Sequence, residues 1–158
     1  MPTTLTALAT VVHPGQGMRV DTVSGTGFQL IFDTADAAAD RAGPSPTESI
    51  LAALAACTSM DVGSILRKKR QPPDSYQIAV SGDSAAEHPR VFVRISVEHR
   101  VSGAVEPEAL RRSIELSATR YCPVSAMLSA SVRIEHRYRL QREGEPTRSE
   151  LVVVTGPR

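Results

Sequence analysis

Cys57 and Cys122 are the only cysteines in this 158-residue chain, and each stands where a thiol could react. Cys57 lies within an apolar run of helical character, Ile50-Leu-Ala-Ala-Leu-Ala-Ala-Cys57-Thr-Ser-Met60. Cys122 stands at a chain reversal, Tyr121-Cys122-Pro123-Val124-Ser125, where a second helix is expected to begin. Two thiols far apart in sequence, with no CxxC and no Cys/His cluster, suit a redox pair better than a metal site. The competing reading is two small buried apolar residues. Their settings differ in acid–base terms. An apolar helix interior pushes the Cys57 pKa upward, so a thiolate there needs a cation in contact. At Cys122 the following Pro123 implies a helix N-terminus, whose N–H groups and dipole favour a thiolate. Local physics alone therefore makes Cys122 the more acidic thiol.

Other chemistries find no support. Neither GxGxxG nor a P-loop is present, which removes nucleotide cofactors of the usual kinds. With no HxxxH and no Cys-His spacing, no metal and no other cofactor is expected. Cysteine hydrolysis would need a base aimed at Cys57, and no local motif names one. His13, His99 and His136 fall on or near the apolar alternation of strands and read as core or interface histidines. His88-Pro89 reads as a turn before a strand.

The elements that must position these thiols are legible from periodicity. Val91, Val93, Ile95, Val97 and Val101 alternate with Arg94, Ser96, Glu98 and Arg100. Val132, Ile134, Tyr138 and Leu140 alternate with Arg133, Glu135, Arg137 and Arg139, and Tyr76, Ile78 and Val80 form a shorter set. All three read as half-buried strands. Leu5 to His13 and Gly27 to Asp33 read as strands flanking the turn Gly15-Gln16-Gly17, which Arg19 follows. The connection from Asp33 to Gly43 reads as a mobile loop. Ser45-Pro46-Thr47-Glu48 is a helix start, with Ser45 as cap, Pro46 in the first turn and Glu48 completing a capping box. Pro72-Pro73 stops that helix after Arg67-Lys68-Lys69-Arg70, cations that offset the negative end of the dipole.

Ile50, Leu51, Leu54, Met60, Val62, Ile65 and Leu66 cover most of the helix circumference, so burial nearly all round is expected, with a second subunit on the far side. Pro107 to Thr119 reads as an amphipathic helix with Leu110, Ile114 and Ala118 inward. This order predicts an α+β fold with antiparallel sheet. The domain is expected over residues 1–141, with 142–158 a tail whose Leu151 to Val154 adds an edge strand or stays loose.

Composition narrows the partners. A formal net charge of +1 gives no field for nucleic acid or an anionic membrane. The N-terminus lacks a signal-peptide pattern. The run Ile50 to Leu66, interrupted by Thr58, Ser59, Asp61 and Ser64, reads as too short to span a bilayer. A cytoplasmic protein is expected, where a permanent structural disulfide is disfavoured and a cysteine pair would cycle.

Gly43-Pro44-Ser45-Pro46-Thr47-Glu48 running into Leu51-Ala-Ala-Leu-Ala-Ala-Cys57, then Met60-Asp61-Val62, with Tyr121-Cys122-Pro123-Val124-Ser125 downstream, resembles the OsmC/Ohr family of bacterial thiol peroxidases and their relatives. Gly17-Met18-Arg19 and Glu87-His88-Pro89 resemble its less-characterised OsmC-like branch. The resemblance covers Leu5 to Leu140. It implies an intertwined α+β homodimer with the long helix buried at its centre. It also implies an organic hydroperoxide as substrate, attacked by Cys57 and resolved by Cys122, with an external dithiol, of lipoyl type or a small molecule, as reductant.

Arg19 is implied as the cation that holds the Cys57 thiolate. A carboxylate near the helix start orients that arginine in the family. Here the place directly after the proline holds Thr47, and Glu48 follows one position later, about 100° further round the helix. Glu48 therefore has two readings, helix cap and catalytic carboxylate. The rival function is a non-catalytic dimer of the same family, redox-responsive or binding a small hydrophobic ligand.

Overall fold

A computed structural model describes residues 3–12, 17–34 and 40–157. His13, Gly15 and Gln16 lie outside the described residues, as do residues 35–39 of the expected loop from Asp33 to Gly43. The chain forms two compact units, Met1–Ile50 and Leu51–Arg158.

The first unit is an antiparallel meander of β1 (Ala7–Val11), β2 (Val20–Ser24) and β3 (Gln29–Phe32). The periodicity reading had one strand after the glycine-rich turn; the structure has two. Val20-Asp21-Thr22-Val23 does not alternate with period two, its valines falling on opposite faces, and pairing on both sides makes it the centre of the sheet. The β2–β3 turn is closed by Gly27 at φ +90°, a conformation that favours glycine. The first unit ends in the opening turn of helix α1 (Pro46–Lys68), and the capping box is present there. Ser45 N–H and Oγ–H each donate to Glu48 Oε2 at 2.7 Å, and Glu48 N–H donates back to Ser45 Oγ at 3.2 Å.

In the second unit α1 continues to Lys68. Arg70 takes the left-handed conformation at φ 59°, and Gln71 N–H reaches back to the Leu66 carbonyl, before Pro72-Pro73 prevents continuation. A four-stranded sheet follows in the order β4 (Ser75–Ser84), β5 (Phe92–Ser102), β6 (Arg133–Gln141) and β7 (Arg148–Thr155). Between β5 and β6 the chain runs through α2 (Pro107–Leu116), a π-helical turn (Ser117–Tyr121) and α3 (Pro123–Ser129). The expected antiparallel pairing holds for β4–β5 and β6–β7, whereas β5–β6 is parallel. A helical crossover returns the chain to the same end of the sheet, and parallel pairing follows from that. Leu151 to Val154 lies within edge strand β7.

The period-two faces point as their sequence implies from Ile95 onward and along β6. Val91, which precedes β5, and Val93, at its start, are instead 57% and 54% exposed, because the beginning of the strand extends beyond the core. Ile95, Val97, His99 and Val101 of β5 and Ile134, His136, Tyr138 and Leu140 of β6 are buried. Leu54, Val62 and Leu66 of α1 and Leu110 and Ile114 of α2 are buried with them. By length and composition α1 would pass for a membrane span, more so than the shorter run read from sequence. Its Leu54-Thr58-Val62-Leu66 edge is nevertheless core. Full burial in the single chain is confined to that edge. Met60 is 74% exposed and Ile50 41%.

Candidate active site

Cys57 sits in the middle of α1, half-buried, and Cys122 is buried at the residue before α3. Both are free thiols in one apolar cluster with Leu54, Ile95, Val97, Val132 and Ile134. Two local features bring them together. The π-helical turn ends α2 with an extra residue in its last hydrogen-bonded ring, and Pro123, unable to continue that helix, starts a new one. Cys122 is thereby placed against the side of α1. Its sulfur accepts from Ser125 N–H at 3.3 Å and from Thr58 Oγ1–H at 3.7 Å.

The sulfurs of Cys57 and Cys122 and a carboxylate oxygen of Asp61 all lie within 4.8 Å of one another. Asp61 follows Cys57 by one helical turn, so the two share a face of α1. Ser117, in the π-helical turn, donates its hydroxyl to Asp61 Oδ2 at 3.0 Å. Sequence reading quoted Asp61 in a motif without giving it a role. The signal was its four-residue spacing from Cys57, and only the fold shows that this face meets Cys122.

The electrostatics of this corner are those of a desolvated thiol. Burial pushes the Cys57 pKa up to about 11, and both its hydrogen bond to Cys122 and the charge of Asp61 act in the same direction. The Val124 backbone opposes them. Around the corner, Tyr76 Oη lies 2.8 Å from His99 Nδ1, and the His99 and His136 rings are 5.9 Å apart. Burial raises the Tyr76 pKa, and the Asp61 charge adds to the rise. Burial lowers His99 to about 3, with a further contribution from His136, and lowers His136 to about 4. Both rings are therefore neutral. Among the described residues His99 Nε2 and both His136 nitrogens have no hydrogen-bond partner.

Arg19 and Glu48 belong to the first unit. Arg19 forms a two-pronged ion pair with Asp21, Nε to Oδ1 at 2.8 Å and Nη2 to Oδ2 at 3.2 Å. Sequence reading did not single out Asp21. Two positions on in a strand, it lies on the same face as Arg19 and holds the guanidinium by its fork. Glu48 spends Oε2 on both Ser45 donors, which keeps its carboxyl below the usual range. Asp61 with the two thiols could also ligate a metal ion.

Comparison with known proteins adds the following. A family model described as OsmC-like protein matches residues 38–137. Protein YhfA of Escherichia coli (strain K12) is 36% identical over 116 residues, covering 73% of this chain and 84% of that protein. An OsmC-like protein from Mycoplasma pneumoniae superposes with a TM-score of 0.76 at 17% identity, over 89% of this chain and 99% of its own. A structure from Legionella pneumophila described as an organic hydroperoxide resistance protein OsmC superposes with a TM-score of 0.63 at 15% identity, over 88% of this chain and 97% of its own.

Proposed function

The chain belongs to the OsmC-like family, and on that premise we propose that it is a thiol-dependent peroxidase that reduces organic hydroperoxides. The observation that carries the reading is the placement of two free thiols within 4.8 Å of each other in one apolar cluster. A disulfide needs its sulfurs at about 2.05 Å, so forming one requires the two sulfurs to move together from their present separation of no more than 4.8 Å. The fold shared with the Legionella organic hydroperoxide resistance protein agrees with this substrate class.

In the proposed reaction the Cys57 thiolate attacks the terminal hydroperoxide oxygen. The S–O bond forms as the O–O bond breaks, and the leaving alkoxide takes a proton to become an alcohol. The Cys122 thiolate then attacks the Cys57 sulfenic acid at sulfur, forming the disulfide and releasing hydroxide, which leaves as water. An external dithiol, of lipoyl type or a small molecule, restores both thiols by two exchange steps. Apolar surroundings favour an organic R group over hydrogen peroxide. The family resemblance supports Arg19 as the cation for the Cys57 thiolate and Glu48 as the carboxylate that orients it. A homodimer accounts for the uncovered apolar side of α1, and the two free thiols suit the reducing cytoplasm.

A second reading has its own support. A thiol pushed up to about 11 is scarcely ionised at neutral pH, and the Glu48 carboxylate is bound to Ser45. Both favour a dimer that is oxidised once as a redox-responsive or small hydrophobic ligand-binding protein, without turnover. Steady-state consumption of cumene hydroperoxide with dihydrolipoamide in excess separates the two. The peroxidase sustains many turnovers per chain and loses them in Cys57→Ser, whereas a single stoichiometric oxidation would sink the peroxidase reading.

A further inference from the structure

Asp61 takes no part in electron exchange between two thiols, yet its carboxylate faces both of them. Its charge even works against ionising Cys57. A group in that position has a natural counterpart in a cation. We infer that the reduced Cys57–Asp61–Cys122 cluster is a binding site for a thiophilic divalent cation of the zinc class, held through both sulfurs and the carboxylate.

The donor set selects the ion. Two thiolates and one carboxylate suit borderline-soft zinc or cadmium, and magnesium or calcium poorly. Zinc–sulfur bonds of about 2.3 Å and zinc–oxygen bonds of about 2.0–2.2 Å put tetrahedral ligands roughly 3.5–3.8 Å apart. Ligand atoms already within 4.8 Å of one another reach that spacing by contracting about 1 Å. Three protein ligands leave the fourth position to solvent, the open arrangement of zinc sites that are not purely structural.

The cluster is also supported from behind, as ligands of a metal usually are. Ser117 holds Asp61 through Oδ2, and Ser125 N–H and the fully buried Thr58 hydroxyl both point at the Cys122 sulfur. These donors offset negative charge on the ligands before any ion arrives. Cys57 and Asp61 project from one face of a rigid helix, and half-buried Cys57 gives the ion its approach.

Binding displaces two thiol protons to solvent, so affinity rises with pH as the thiols are titrated. A disulfide offers no thiolate. Oxidation of the pair by a hydroperoxide, which takes two electrons and two solvent protons to become alcohol and water, removes two of the three ligands and releases the ion. The site is thus occupied only when the pair is reduced.

Cadmium titration of the reduced full-length chain, with no peroxide present, tests this through the ultraviolet thiolate-to-cadmium absorption. We expect a band that saturates at one ion per chain, is competed by zinc, and accompanies release of two protons per ion. Asp61→Asn keeps both thiols and should weaken binding at least about tenfold, and Ser117→Ala, the milder variant if Asp61→Asn does not fold, about tenfold. Prior oxidation to the disulfide should abolish the band. A chain with no saturating band, or an Asp61→Asn or Ser117→Ala protein with unchanged affinity, overturns the proposal. The outcome does not depend on turnover, because a chain that never consumes a hydroperoxide can still bind cadmium.

Discussion

At Cys57 two requirements oppose each other. The apolar setting that suits an organic hydroperoxide is the same setting that pushes the thiol up to about 11, and Asp61 adds to the rise. Nothing among the described residues of the second unit supplies a guanidinium hydrogen bond to this sulfur, which is why Arg19 carries so much of the peroxidase reading. If Arg19 holds the thiolate, it keeps the Cys57 pKa below about 11, and Arg19→Ala raises the pKa and slows the reaction with peroxide at neutral pH. Each unit of pKa is about 1.4 kcal/mol of lost preference for the charged form, or a tenfold loss of thiolate. Arg19→Lys should rescue only in part, because an ammonium lacks the fork that grips sulfur and peroxide oxygen together. Ultraviolet titration of the Cys57 thiolate in a Cys122→Ser background measures the effect. An unchanged curve in Arg19→Ala would remove Arg19 from the site.

At the level of elements, the sheet carries an unusual load on its inner face. His99 and His136 alternate with aliphatic residues on neighbouring strands and are fully buried. Their pKa values fall below the ordinary 6.5, to about 3 and about 4, so the unfolded chain takes up protons first as pH falls. Stability is therefore full above pH about 6.5 and drains as pH drops toward the folded values. Replacing His136 by leucine removes one such proton and two ring nitrogens without a partner among the described residues. We expect His136→Leu to be neutral or stabilising at pH 7.5. It should also flatten the loss of stability between pH 6 and 4.5 by up to about 1.4 kcal/mol per pH unit. Urea midpoints across that range give the slope directly, and an unaltered slope would mean that His136 titrates normally in the fold.

At the scale of the whole molecule, α1 carries an apolar side that the single chain leaves exposed. One edge of the helix is core, while Met60 stands 74% exposed on a helix whose apolar residues run nearly all round. On a lone chain, Met60→Glu is a surface change worth within about 0.5 kcal/mol. In the proposed homodimer it buries a charge and should weaken association by tenfold or more, about 1.4 kcal/mol. Sedimentation of wild type and variant over a range of concentration decides. A monomeric wild type, with Met60→Glu indistinguishable from it, would end the dimer reading.

Local chemistry determined much of this protein without its fold. Ser45, Pro46 and Glu48 act on one another within a single turn, so the start of α1 is legible, as is its stop at Pro72-Pro73. Strands β5 and β6 follow from period-two patterns long enough to stand alone, and the two cysteine motifs are specific enough to carry a family resemblance. Strand β2 was hidden because Val20-Asp21-Thr22-Val23 lacks a period-two pattern and becomes a strand through its partners on both sides. The parallel β5–β6 pairing was hidden because strand direction depends on where a crossover lands, which no local pattern encodes. Asp61 joined the thiols only in three dimensions. Its spacing from Cys57 fixes a shared helix face, but that this face meets Cys122 depends on how the π-helical turn and α3 pack against α1.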